Sequence, residues 1–462
     1  MIFSHREQPA HASSSRTTKH CSFVFLLIFS IGQAALANGE ESRGGKQVPD
    51  IQTWAKENDM IVHHAELRKN EGEEGLSLFA TENIEQGQVV MSVPAGLLFP
   101  TRVSEKSPVP AMIENTTIGR VSAMCLYLAA ERVDPESFWA PWIQTLPKKF
   151  FHALSYTEED MEHFQASPFR ELRARKVTSV HREYVETVVP LLDKLPKEEE
   201  GAKSIFNREA FSYEAFVWAY SVITTRAIFP GLLSEKERAE DSPLIIVGPY
   251  TDSLNHGPSS VTISFDSEQQ RCLFSALLPI AKGDLVSVGI GQTSNLELLA
   301  NRGLLLQSNR NNFVLMKFQL DMSGDMHATA RQAMMGQLNL SNPQTYIVRN
   351  GEMPQGLLTS LRIQSLTPVE FGSFDKALSS PVTLENEWRA YRLLISSCNA
   401  ILNMYPTTIE EDEELLGAGQ LRRGQRSAVV LRRQEKLVYE SVKAWAHDAW
   451  SSLLYASAAS SQ

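Results

Sequence analysis

Two short stretches carry the side chains whose types and spacing could do chemistry. One is Glu74-Gly75-Leu76-Ser77-Leu78-Phe79-Ala80, followed by Gly87-x-Val89-Val90 and Pro94. The other is Pro249-x-x-Asp252-x-x-Asn255-His256, followed by Gly283-Asp284 and Ser294-Asn295-x-Glu297-Leu298-Leu299. Taken alone, the first reads as the start of a hairpin and the second as an Asx-type turn leading into a strand. Several common catalytic signatures are missing. There is no G-x-x-x-x-G-K-S/T phosphate loop, no G-x-S-x-G nucleophile elbow and no H-E-x-x-H zinc helix. Gly289-Ile-Gly291 lacks a third glycine and does not open a long helix, so it is not a dinucleotide fingerprint. The adjacent pair His63-His64 would diverge in either regular structure, and no acidic loop completes a site, so no metal is expected.

The elements that must position these residues follow from periodicity. Leu76 to Ala80 and Gln88 to Val93 read as strands around a turn at Ile84-Glu-Gln-Gly87. Residues 119–132 carry an apolar helical stripe, and 134–240 are mostly helical. Short β-runs return at Leu244 to Val247, Val261 to Phe265, Arg271 to Leu278 and Leu285 to Val288, separated by Gly/Pro turns. Beyond about 320 helices dominate. The last, over about 421–457, has Ala428, Leu431, Val438, Val442 and Trp445 on one face. The layout is β, helical insert, β, helical tail.

Composition limits the partners. Hydrophobic residues make up 43% and charged residues 21%, a balance that supports real cores and excludes a mainly disordered chain. With 44 Lys plus Arg against 54 Asp plus Glu the net charge is −10, which excludes a general nucleic-acid binder. The four cysteines form no C-x-x-C pair, which argues against a disulfide scaffold or structural zinc cluster. Cys125 and Cys398 sit on apolar helical stripes and read as buried free thiols. The acidic run Glu410 to Glu414 reads as a solvated helix start, with Arg422, Arg423, Arg426, Arg432 and Arg433 as its exposed counterpart.

The N-terminus reads as a targeting segment. Arg6, Arg16 and Lys19 precede an apolar run from Ser22 to Gly32, and Ala35-Leu36-Ala37 follows. A basic region, a core of about eleven apolar residues and an A-x-A site match a secretory signal, with an uncleaved anchor as the alternative. Apart from this segment no membrane association is expected. Free thiols suit a reducing compartment. Secretory entry could then be a first step toward a plastid, although the acidic residues after Ala37 fit a transit peptide poorly. A fluorescent fusion carrying residues 1–60 tests this, and a cytosolic signal would refute it.

In their order and spacing, the two stretches resemble a SET-domain protein methyltransferase, and more closely the subgroup that includes Rubisco large-subunit lysine methyltransferases. Ser137-Phe-Trp-Ala-Pro-Trp142 with Leu146-Pro147 resembles the start of that subgroup's helical insert. Thr224-Thr-Arg226-Ala-Ile228 resembles its Ser-Arg-Ala-Phe segment. Tyr405-Pro-Thr-Thr-Ile-Glu-Glu-Asp-Glu-Glu-Leu-Leu416, with Arg432-Arg433-x-Glu435-Lys436, resembles its C-terminal substrate-binding domain. The likeness runs over roughly residues 55–450.

The resemblance implies an α+β fold. A signal segment (1–37) and a flexible lead-in (38–50) precede a β-rich SET domain (51–315) split by a helical insert at about 134–240. An all-helical substrate-binding domain (316–457) follows. It implies a monomeric enzyme that methylates lysine in another protein with S-adenosylmethionine, the protein substrate being held by the C-terminal domain. Glu74, Gly75 and Leu76 would lie against the cofactor, Arg226 would face its carboxylate, Asn255 and His256 would hold the adenosine end, and Asp252 would brace the turn. Catalytic residues are not identified, because Ile290 and Arg302 stand where the family has Tyr and Leu304 where it has Phe. Ser77 replaces a second glycine. Tyr220, Tyr250 and Phe265 are aromatic residues that could serve instead. Arg302 near a lysine channel would repel an ammonium and favour a neutral amine. The alternative is a catalytically impaired SET-fold interaction module that still binds the cofactor.

Overall fold

A computed structural model describes residues 50–69, 76–195, 204–232, 245–350 and 352–460. The signal-like run, the lead-in up to residue 49, and Glu74 and Gly75 lie outside the described residues.

The strands are short and grouped in small sheets. They are β1 (Ile61–Val62), β2 (Ala65–Lys69), β3 (Leu76–Ala80), β4 (Val89–Pro94), β5 (Asn255–Gly257), β6 (Val261–Asp266), β7 (Arg271–Ala276), β8 (Ser287–Gly289), β9 (Phe313–Phe318) and β10 (Gln344–Arg349). One antiparallel sheet has the order β1-β4-β7-β6, while β2-β3, β5-β8 and β9-β10 are two-stranded. In β7 the pleat alternates, with Cys272, Phe274 and Ala276 facing the core. The turn before β4 uses Gly87 at φ +85°, where a side chain would be strained. The run at residues 245–247 does not become the expected strand. It makes a single bridge, Ile246 to Ile228, and then turns at Gly248. There the backbone passes so close to Leu97 that a Cβ would stand 2.4 Å from its carbonyl oxygen.

The helices used below are α1 (Arg120–Val133), α2 (Phe169–Glu183), α3 (Tyr213–Arg226), α4 (Asn295–Arg302), α5 (Ala328–Gln337), α6 (Gln355–Gln364), α7 (Leu384–Leu402), α8 (Ile409–Gly417) and α9 (Arg423–Ser460). One core unites the small sheets with α1, α3 and an aromatic group in which Trp139 contacts Trp54, Phe99, Phe138 and Trp142. A second core packs the β9-β10 hairpin against α6, α7 and α9. The tail is thus helical apart from that hairpin. A third, smaller cluster joins Phe164 and Phe169 of the insert to Leu299 of α4 and Ala428 and Leu431 of α9.

The expected apolar face of the last helix is present, with Ala428, Leu431, Val438 and Val442 buried. Cys125, Cys272 and Cys398 are buried and form no disulfide among the described residues, and burial pushes the Cys125 thiol upward, so it stays protonated. The acidic run requires a correction. Thr408 and Glu411 form a capping box at the start of α8, but Asp412 is fully buried, and so is Arg432. Asp412 accepts from Arg432 Nη2 at 2.6 Å and from Lys436 Nζ at 2.7 Å. Apolar spacing could not reveal this, because the carboxylate is paid for by cations a helix away, on α9.

Candidate functional site

The end of α3 builds one wall of a pocket. The Ser212 hydroxyl caps the helix start, accepting from Ala215 N at 3.3 Å, and the helix then delivers Thr225 and Arg226 at its last turn. Opposite it, residues 250–253 make a tight turn that begins with Tyr250 at φ +66°, an uncommon conformation for an aromatic residue. Thr251 holds that turn by donating its hydroxyl to the Gly248 carbonyl at 3.0 Å. The turn buries Asp252 and sends the chain into β5, whose parallel pairing with β8 sets Asn255 beside Ser287 and His256 beside Val288. Arg226 Nη1 donates to the Asp252 carbonyl at 3.4 Å, which links the two walls.

The helix α4 supplies the third wall. Ser294 and Glu297 form a capping box at its start, and Gly303 closes it at φ +67°. A Cβ at Gly303 would stand 2.3 Å from the Phe151 carbonyl oxygen, so this position needs glycine both for its φ and for the close approach of the 147–151 segment. The Ser294-Asn295 pair is structural. Asn295 is buried and its amide donates to the Leu306 carbonyl at 2.7 Å and to Gln434 Oε1 at 2.6 Å, tying α4 to α9.

These elements bring Arg226, Asp252, Asn255, His256 and Arg302 into one pocket, together with Lys149, Phe151, Gly303, Leu304 and Arg423. Leu76 is half-buried against the core and is not among the pocket walls. Nor is Ile290, whose carbonyl accepts from Thr293 Oγ1 at 2.7 Å. No tyrosine lines the pocket among the described residues, and Tyr220, Tyr250 and Phe265 all lie elsewhere. Sequence reading missed Lys149, Phe151, Gly303 and Arg423. Gly303 was readable as a helix stop, whereas no local pattern marks the other three.

The electrostatics of the walls are specific. Arg302 Nη1 lies 2.7 Å from His256 Nε2 and 3.1 Å from the Ala227 carbonyl, while Nε2 is 3.3 Å from the Thr225 carbonyl. A guanidinium only donates, so at the shorter contact Nε2 is the acceptor and the imidazole proton is assigned to Nδ1. That Nδ1 is buried and has no hydrogen-bond partner among the described residues. Burial, reinforced by the Arg302 charge, holds His256 well below the usual histidine range, so it is neutral throughout the physiological range. Burial pushes Arg302 down to about 10, leaving it charged at neutral pH. Burial also pushes the Asp252 carboxyl up to about 6, with the Arg226 charge acting in the opposite direction. Four cationic residues therefore face one carboxyl group. Such a pocket holds an anionic group well, and offers a buried N–H donor to a ligand acceptor. His63 and His64 play no part, since His64 pairs with Glu82, and no group of metal-ligating side chains occurs among the described residues.

Comparison with known proteins places this architecture. Residues 323–438 match the family model described as Rubisco LSMT substrate-binding. The described fold matches a crystal structure of the SET domain of LSMT bound to lysine and AdoHcy, at TM-score 0.64 and 20% identity over 87% of this chain and 92% of that one. It also matches Rubisco LSMT bound to AdoMet, at TM-score 0.64 and 20% identity over 88% of this chain and 93% of that one. The chain thus has the fold of these SET-domain structures, and its residues 323–438 are similar to the substrate-binding family model. Among curated sequences it is similar to the actin-histidine N-methyltransferases of Mus musculus (27% identical) and Homo sapiens (26%), in each case over 414 residues, 85% of this chain and 67% of the relative.

Proposed function

We propose that this chain binds S-adenosylmethionine in the pocket between α3, β5 and α4 and methylates a nitrogen of another protein. The observation that carries this reading is the convergence of Arg226, Asp252, Asn255 and His256, from separate elements of a SET fold, on one pocket. The residues present fit the cofactor. Arg226 offers a cation for a carboxylate, the Asn255 amide can both donate and accept, and the unpartnered His256 Nδ1–H suits an acceptor nitrogen of adenine. When bound, the cofactor supplies an electrophilic methyl group, so the protein's part is to bind, align and exclude water. The C-terminal domain would hold the protein substrate, a reading supported by its match to a substrate-binding family, and the enzyme would act as a monomer.

Lysine is the acceptor expected from the sequence resemblance, and Arg302 sets a condition on it. Its fixed charge opposes entry of an ammonium, so a lysine must arrive neutral, against an ordinary pKa of about 10.4. An imidazole, with an ordinary pKa of about 6.5, is already neutral at pH 7 and meets no such cost. The similar curated proteins are named for histidine methylation. The acceptor favoured by the pocket is therefore a neutral protein nitrogen, and histidine meets that requirement more easily than lysine.

A second reading is favoured by two observations: Arg302 is bonded to His256, and the pocket has no tyrosine among the described residues. A SET-fold module could thus bind cofactor without transfer. One experiment separates the two. Purified protein should gain thermal stability with S-adenosylmethionine and lose that gain in Asn255→Ala. Incubation with a proteome extract and mass spectrometry should then find methylated histidine or lysine. Stabilisation without methylation, restored to transfer by Ile290→Tyr with Arg302→Tyr, would establish the module. No stabilisation at all would sink both readings.

A further inference from the structure

The helix α4 has eight residues, too few to hold its own shape, so its place in the pocket wall depends on what ties it down. At its base the ties are side-chain amides. The Asn295 side chain pairs with the Leu306 peptide twice: its amide donates to the carbonyl at 2.7 Å, and its oxygen accepts the backbone N–H at 3.2 Å. The Asn295 backbone N–H donates to Asn312 Oδ1 at 2.8 Å. Asn309 Nδ2 donates to Asn295 Oδ1 at 3.0 Å and to the Thr293 carbonyl at 2.9 Å. The cluster clamps together two points eleven residues apart, and Arg302, Gly303 and Leu304 of the pocket wall lie between them.

The last member comes from the tail. Gln434 of α9 accepts at Oε1 from Asn295 Nδ2 at 2.6 Å and from Asn312 Nδ2 at 3.3 Å. Its Nε2 donates to the Leu306 carbonyl at 2.9 Å, so it is bonded to both sides of the clamp. The Leu306 peptide fixes which way the Asn295 amide points, and Gln434 must then present oxygen to Asn295 and nitrogen to Leu306. Gln434 lies within residues 323–438, the part similar to the substrate-binding family model.

We infer that Gln434 is a positioning residue for the cofactor pocket: it holds α4 so that Arg302 keeps His256 in the tautomer protonated at Nδ1. This deepens the proposed function and rests on it for the identity of the cofactor. The contacts are continuous. Gln434 and Asn295 fix the base of α4, and Arg302 at its end reaches His256 Nε2 at 2.7 Å. While the guanidinium donates there, Nε2 must accept, and the ring proton stays on the unpartnered Nδ1 that faces a ligand acceptor. Once α4 shifts and Arg302 leaves, Nε2 can carry the proton and donate to the Thr225 carbonyl, already 3.3 Å away. Nδ1 then becomes an acceptor, and an adenine nitrogen set against it loses its donor.

The test uses the full chain labelled with nitrogen-15 histidine, and reads the His256 ring by NMR as the signal missing from His256→Gln. Wild type should show one tautomer, protonated at Nδ1. Gln434→Leu should show a mixture, and its S-adenosylmethionine affinity, measured by calorimetry, should fall about tenfold. Gln434→Glu keeps the acceptor toward Asn295 but not the donor toward Leu306, and should lie between the two on both readouts. Ser167→Ala removes a different bond between the insert and α9, that to Glu435, and should lower stability to urea while leaving ring and affinity as in wild type. An unchanged ring in Gln434→Leu would overturn the inference, as would the same changes in Ser167→Ala, or a wild-type ring protonated at Nε2. Should Gln434→Leu fail to fold, Gln434→Glu decides: a second tautomer supports the inference and a wild-type ring overturns it. The ring is read without cofactor, so the two readings fail separately. A wild type that binds no S-adenosylmethionine refutes the cofactor reading, while a shifted ring in Gln434→Leu still upholds the positioning role.

Discussion

At the scale of single residues, the pocket is governed by where protons sit. Asp252 is buried, and its carboxyl is pushed up to about 6 from an ordinary value near 3.8. Between those values the folded protein holds a proton that the unfolded chain has released. Stability therefore falls as pH rises through that window. Asp252→Asn cannot lose a proton and lacks this slope. Relative to wild type it should gain stability as pH climbs from about 4 to about 7, by up to about 3 kcal/mol, read from urea unfolding at several pH values. Parallel curves for the two proteins across that range would show that Asp252 is solvated. His256 works in the opposite sense. Its proton affinity is depressed by burial first and by Arg302 second, so the imidazole stays a neutral donor at Nδ1 where a charged ring would oppose a cationic cofactor.

At the scale of elements, α4 is the part on which the site geometry depends. A capping box starts it, Asn295 anchors it to α9, and Gly303 ends it against the 147–151 segment. Gly303→Ala would place a methyl group 2.3 Å from the Phe151 carbonyl oxygen and force a left-handed φ on alanine. The two costs together are about 2–4 kcal/mol. Because relief can come only by moving the 147–151 wall or unwinding the end of α4, cofactor binding should weaken along with stability. Chemical unfolding and a thermal shift with S-adenosylmethionine check both, and a stable variant with unchanged cofactor affinity would contradict this account of the wall.

At the scale of the whole molecule, buried charge joins the insert to the tail. Arg432 Nη1 donates to the His163 carbonyl at 2.6 Å while its other nitrogens reach Asp412, and Lys436 donates to the Thr407 carbonyl at 2.6 Å. Beside them Glu435 accepts from Ser167 at 2.8 Å and from Tyr405 at 3.0 Å, and burial pushes its carboxyl up to about 7. Such a network contributes little net stability when whole, but removing one member strands the rest. Asp412→Ala would leave two buried cations unpaired and should cost about 3–5 kcal/mol. The triple replacement of Asp412, Arg432 and Lys436 by apolar residues of similar volume should cost less than Asp412→Ala alone. Guanidinium melts of both variants decide it, and additive losses would mean that the three charges act independently.

The sequence by itself determined the alternation of β, insert, β and tail, because pleat and helix periods are local. The resemblance of its motifs to a known family singled out Arg226, Asp252, Asn255 and His256, and the fold brings all four to one pocket. The turn at Gly87 was legible locally, since it demands a particular backbone angle. The tertiary structure decided what no local rule carries. It set Arg302 against His256, moved Ile290 and Leu76 off the pocket walls, and turned part of a seemingly solvated acidic run into a buried counter-ion. It also brought Arg423 to the pocket rim, more than a hundred residues from the other walls in sequence. The physical reason is common to all of these: side-chain environment depends on what packs across from a residue, and that partner is chosen by the assembly of cores rather than by the residue's neighbours along the chain.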